Sequence, residues 1–132
     1  MGKYLAAYAG CLACFLAIDA IWLGLVAKRF YADQLGDLLK ASPSLGIAAV
    51  FYLAYAVAVV ILAVRPAIIA ESPLHALGLG AVLGFAAYGT YDITNLATIR
   101  NWPWQVSAVD WAWGTVLTGV SAWAGYHASR AL

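Results

Sequence analysis

The sequence predicts an all-α, polytopic membrane protein with four transmembrane helices in an up-down bundle and a short interfacial helix after helix one. Three observations lead there. The 132 residues are 65% hydrophobic and 10% charged, with a mean hydropathy of +0.85, whereas soluble domains carry about 25% charged residues. Four apolar stretches each reach the roughly 20 residues that cross a hydrocarbon core: Tyr4 to Val26, Leu45 to Val64, Leu74 to Leu96 and Val106 to Tyr126. The connections between them are short, so residues 1–132 read as a single membrane domain with no soluble module.

Each element has its own justification. The first apolar stretch is longer than the roughly 7–15 residues of a secretory signal core and contains Asp19, so it reads as a retained helix. Lys28 and Arg29 close it. In the next segment, Phe30 or Tyr31, Leu35, Leu38 and Leu39 recur at near-helical spacing, which predicts a short helix lying in the interface. Ser42-Pro43-Ser44 stops that helix and starts the second span. The loop from Arg65 to Pro73 ends with Ser72 as the expected N-cap and Pro73 at the first helical position of the third span. Lys3, Arg65 and Arg130 fall on one side, and Lys28, Arg29, Lys40 and Arg100 on the other. That balance is too even for the positive-inside rule to set an orientation.

With four alternating spans, the end of helix one, the end of helix three and the start of helix four share one membrane face. Asp19, Asp92 and Asp110 therefore converge on one leaflet, with Trp22, Trp102, Trp104, Trp111 and Trp113 at the same end. On helix three, Gly80, Gly84, Tyr88, Tyr91, Asp92 and Asn95 form one stripe at spacings of three and four. Its Gly-x-x-x-Gly step admits a closely packed neighbour, which turns Asp92 toward the packing and away from lipid. Helix one has a comparable stripe of Tyr4, Tyr8, Cys11, Phe15, Asp19 and Trp22, and helix two offers Tyr52 and Tyr55 but no charge. A charge in the hydrocarbon core costs roughly 2.5–3.5 kcal/mol on insertion scales, so three acids in one small chain point to function. Burial and mutual repulsion both oppose ionisation, and at least one acid is expected to be protonated or paired at neutral pH. Arg100 is the nearest expected counter-ion, followed by Lys28 and Arg29.

Structural roles compete for the same residues. Ser107-x-x-Asp110 fits a helix capping box. Asp19 or Asp92 also suits interhelical glue, and the tryptophans an aromatic belt. Cys11 and Cys14 have redox-pair spacing, but they lie mid-membrane and fit core packing better. His75 and His127 fall on the face opposite the acids, which argues against a histidine and carboxylate metal centre and leaves only an all-oxygen site open. No metal is assigned, and no cofactor is named by any motif. Nucleophile elbows, phosphate loops, nucleotide fingerprints and basic nucleic-acid faces are missing, so nucleic acid is not an expected partner.

Tyr91-Asp92-x-Thr94-Asn95-x-Ala97-Thr98, Trp102-Pro103 and Asp110-x-x-Trp113-Gly114, with Asp19 in the first helix, together resemble the signature of a family of small bacterial membrane proteins, domain of unknown function 2177. The resemblance covers nearly the whole chain. It implies a multi-pass, four-helix protein of the bacterial inner membrane and brings no established activity.

Three functional readings arise from the residues. In the first, the acidic end is a pocket for a small amphipathic or lipid-derived molecule, which it binds or transforms. Asp92 and Asp110 are the candidate acid and base, and Asp19, Trp22, Tyr88, Tyr91, Asn95, Trp102 and Trp113 the binding residues. In the second, a homodimer works as a proton-coupled exporter, like the small multidrug transporters. In the third, the chain is a scaffold with structural aspartates. Transport sites tend to lie near the bilayer midplane, whereas these acids lie toward one face, and that favours the pocket.

Overall fold

A computed structural model describes all residues from Met1 to Leu132; it is 86% helical and contains no strand. Helix α1 spans Gly2–Ile21 and runs on through one π turn, Trp22–Val26, closed by the Ala27 N–H donating to the Trp22 carbonyl at 2.7 Å. Helix α2, Lys28–Leu35, and a 3-10 turn, Gly36–Leu38, form the short helix expected after the first span. Helix α3, Leu45–Val59, passes through a second π turn, Val60–Val64, into α4, Arg65–Ile69. Pro66 explains the widened turn: it has no N–H, and its ring crowds the carbonyl of the preceding turn. The second long segment therefore runs five residues past the expected end at Val64.

Helix α5, Pro73–Thr98, begins as the sequence indicates, with the His75 N–H donating to Ser72 Oγ at 3.2 Å and Pro73 in the first turn. After a turn through Asn101, whose φ of 62° is one that asparagine tolerates, α6 covers Trp104–Ser129. Three segments are long and apolar enough to cross a membrane: Gly2–Val26, Leu45–Ile69 and Pro73–Thr98. Helix α6 equals α5 in length but is the most buried element, with eleven buried residues that include Ser107, Gly114, Thr118, Gly119, Ser121 and Gly125.

Small residues set the packing around α6. A Cβ on Gly80 would fall 2.7 Å from the Ala122 methyl, and one on Gly84 would fall 2.4 Å from the Gly114 carbonyl oxygen. On the other flank, Gly10 meets Ala128 and Gly125 meets the carbonyl of Ala7. Lipid is as apolar as leucine, so helices in a membrane associate through such close backbone approach rather than through hydrophobic exclusion. The core that results holds Ala7, Cys11 and Phe15 of α1, Val59, Ala63 and Val64 of the second segment, and Leu117, Ala122 and Tyr126 of α6.

Helix α3 is peripheral. It leans on α1, and the segment packs against α5 chiefly through its π turn and α4. From Val60 toward Leu45, α3 and α5 therefore diverge. The gap between them opens at the end of the molecule where Asp19, Asp92 and Asp110 lie.

Candidate functional site

Asp19 sits in the last turn of α1 and is buried. Its carboxylate has two donors from two other helices. Trp113 Nε1–H donates to Oδ1 at 3.1 Å, and the Tyr52 hydroxyl donates to Oδ2 at 3.4 Å. Trp113 in turn stacks on Trp22, with centroids 4.4 Å apart and planes 11° from parallel. Trp22 occupies the first position of the π turn, and its Nε1–H donates to the Tyr31 hydroxyl at 3.3 Å.

Tyr31 carries the network to the second acid. Its hydroxyl donates to Asp110 Oδ1 at 3.0 Å, which joins the short helix α2 to the first turns of α6. Burial first, and then the neighbouring Asp110 charge, push the Tyr31 phenol well above its ordinary range, so it stays a donor.

Asp92 is different in kind. It is fully buried, and neither carboxylate oxygen meets a protein N–H or O–H donor. Its one charged neighbour is another acid, Asp110 of α6. Two carboxylates are acceptors only, so neither supplies the donor that the other lacks. The backbone carbonyl of Asp92 is also used, because it accepts from Ser107 Oγ–H at 2.6 Å, and Ser107 Oγ accepts from Trp102 Nε1–H at 3.0 Å.

Beside this pair lies a cavity of about 400 Å³ in the gap between α3 and α5. Ala48, Phe51, Tyr52 and Tyr55 line it from α3, Ala87, Tyr88 and Tyr91 from α5, and Asp110 closes its polar end. Tyr55 and Thr118 share a hydrogen bond of 2.9 Å at the floor, and the Tyr88 ring lies flat over Gly114. The size falls in the range of small-molecule sites, roughly 300–1,000 Å³, and the wall chemistry matches one too: aromatic, with a few polar groups at one end.

A family described as "Predicted membrane protein (DUF2177)" matches residues 4–127. The chain belongs to that family. The matched region takes in every residue of the acidic end, from Asp19 to Trp113, and the family has no known function. With three apolar helices of spanning length, it is a multi-pass membrane protein. Neither a curated protein nor a solved structure matches the chain.

The remaining residues singled out in the sequence divide. Tyr91 is half exposed and meets the Trp102 ring edge-on at 5.9 Å, and Asn95 is half-buried one turn further along α5. Arg100 is no counter-ion: it is exposed in the turn after α5, and only Asp110 acts as a charged neighbour on Asp92. Lys28 and Arg29 are likewise exposed. Ser107 and Asp110 do not form a capping box, because α6 starts at Trp104, Pro103 is its N-cap, and both side chains are engaged elsewhere. Thr94 and Thr98 stay exposed and turn their hydroxyls back onto the carbonyls of Thr90 and Thr94 in their own helix. Trp111 serves the helix contact, with Nε1–H donating to the Phe85 carbonyl at 2.8 Å. No group of three or more His, Cys, Asp or Glu side chains is placed to hold a metal ion.

Two residues of the network escape the sequence reading. Tyr31 belongs to a stripe read as membrane-surface leucine spacing, and Tyr52 to a helix without charge. A signal for both exists: a buried acid needs donors, and these phenols stand at the acidic end of the two segments that carry no acid of that cluster.

Proposed function

We propose that this chain is an up-down bundle of four spans in the bacterial inner membrane that binds or transforms a small amphipathic or lipid-derived molecule in the α3–α5 gap. The observation that carries the reading is the aromatic cavity with Asp110 at its polar end and its long side between two membrane helices. A molecule enters such a gap sideways from lipid, without crossing water.

The fourth span is inferred from packing. Helix α6 contacts α5 from Ser107 beside Asp92 to Ala122 beside Gly80, and α1 as far as Ala128 beside Gly10. A helix of 26 residues bound along that length to two membrane-crossing partners shares their depth. Asp110 stands six residues inside α6, about 9 Å below its start, which is near headgroup level.

In this reading Asp92 and Asp110 are the candidate acid and base. Tyr88 and Tyr91 wall the bound molecule, with Asn95 and Trp102 at its outer edge. Asp19, Trp22 and Trp113 hold the wall behind Tyr52. The occupied hydrogen bonds of Asp19 also fit a positioning role better than an exporter's alternating acid.

The test is native mass spectrometry with lipid extraction on the protein purified in a nonionic detergent. Wild type is compared with Ala87→Phe, which fills the gap and leaves every carboxyl in place, and with Asp110→Asn. A discrete molecule held by wild type and lost from Ala87→Phe supports the pocket. Identical bulk-lipid profiles from all three folded proteins would refute it.

A further inference from the structure

Resting on the pocket reading above, the geometry points to a ligand class: an amphipathic cation, with its ammonium group against Asp110 and its apolar chain between α3 and α5. Three independent observations lead there.

The first is uncompensated charge. Asp19, Asp92 and Asp110 share one end of the molecule, and every charged neighbour acting on the cavity tyrosines Tyr52, Tyr88 and Tyr91 is an acid. The cations nearest in sequence, Lys28, Arg29 and Arg100, are all exposed. The cluster thus gathers three acids and no cation in a poorly solvated place, where an opposite charge is worth most.

The second is an acid without a partner. Asp92 is fully buried with both oxygens lacking a donor, and its charged neighbour is Asp110, the one charged residue on the cavity lining. A bound ammonium supplies Asp110 with charged N–H donors, which its neighbour Asp92 does not have to give.

The third is the wall. Aromatic faces attract cations, and phenol rings line the cavity on both sides. From Ala48 to Tyr55 the lining extends two helical turns, about 10 Å, into the apolar part of the gap. A small hydrophilic cation would leave that length empty. An acid or a phosphate beside Asp110 would add like charge to an already negative cluster, which disfavours fatty acids and phospholipid headgroups.

Equal-chain probes separate the two propositions. Dodecylamine, dodecanol and dodecanoate are titrated at pH 7.5 into wild type, Asp110→Asn and Ala87→Phe in one nonionic detergent, with Kd from calorimetry and folding checked by circular dichroism. The expected result is dodecylamine bound about tenfold more tightly than dodecanol, dodecanoate weakest, and the amine preference lost in Asp110→Asn while dodecanol still binds. Dodecanol or dodecanoate equal to the amine on wild type would overturn the cation and leave the pocket standing. So would an amine preference unchanged in Asp110→Asn. Binding of all three that is unaffected by Ala87→Phe would overturn the pocket itself. Butylamine bound as tightly as dodecylamine would remove the apolar chain from the proposal.

Discussion

Gly114→Ala is the sharpest perturbation this packing offers. A Cβ there would lie 1.9 Å from Cγ of Tyr88 and 2.2 and 2.3 Å from its two Cδ atoms. Carbon atoms rest at about 3.5 Å, so the ring must retreat by about 1.6 Å or leave its rotamer. The helices cannot separate cheaply to help, because Gly84 already sits against the Gly114 carbonyl and Thr118, and Gly80 against Ala122. The only open direction is the cavity. Overpacking typically costs about 1–3 kcal/mol, and a blocked retreat places this variant near 3 kcal/mol. At roughly 4 °C per kcal/mol, thermal unfolding in detergent should fall by about 10 °C, and ligand capacity should fall with it as Tyr88 swings into the gap. Gly78→Ala is the control: it is exposed on the same helix as Tyr88 with no atom within 4 Å of the added methyl, and alanine is favoured there by about 1 kcal/mol. Its melting point should hold or rise slightly. A Gly114→Ala protein that melts within two or so degrees of wild type would show that Tyr88 does not lie over Gly114.

Two other predictions use the same melting assay. Trp113→Phe removes the 3.1 Å donor to buried Asp19 but keeps a ring against Trp22, and should cost about 1–3 kcal/mol, with Tyr52→Phe costing less because its bond is 3.4 Å; the reverse order would mean that Tyr52 is the principal donor. The Thr94→Val and Thr98→Val double variant should stay within about 0.5 kcal/mol of wild type, since both exposed hydroxyls bond only their own helix. A loss above about 1 kcal/mol would place that face against protein rather than lipid.

Periodicity made the faces of single helices readable. The stripe from Gly80 to Asp92 is the face that packs on α6, because helical spacing and small residues are local properties of the chain. The Ser72-Pro73 start of α5 is local for the same reason. Partners between helices are not local. Tyr31 reaches Asp110 across 79 positions of sequence, and Trp113 reaches Asp19 across 94, and no spacing rule encodes either. The π turn at Trp22–Val26 adds a further obstacle: it shifts the phase of α1 at the point where Trp22 leaves for the stack, so an ideal 3.6-residue wheel misplaces the side chains beyond it. The same limit explains the two threonines. Composition marks Thr94 and Thr98 as polar, but their own backbone satisfies them, and polar residues of that kind can face lipid.

The contrast between Asp19 and Asp92 bears on the purpose of the acids. An acid kept only to hold helices together should look like Asp19, with a donor from each neighbour and no lone pair wasted on another acid. Asp92 is deeper than Asp19 and has none of this, although donors stand close by: Ser107 spends its hydroxyl on the Asp92 backbone, and Tyr31 spends its own on Asp110. A carboxyl buried without donors costs stability, and a glue role offers nothing in return. The arrangement does put a donorless, fully buried carboxyl next to Asp110, which lines the cavity. The proposed cation site at Asp110 gives that neighbour a use, whereas a purely structural role leaves the donorless carboxyl unexplained.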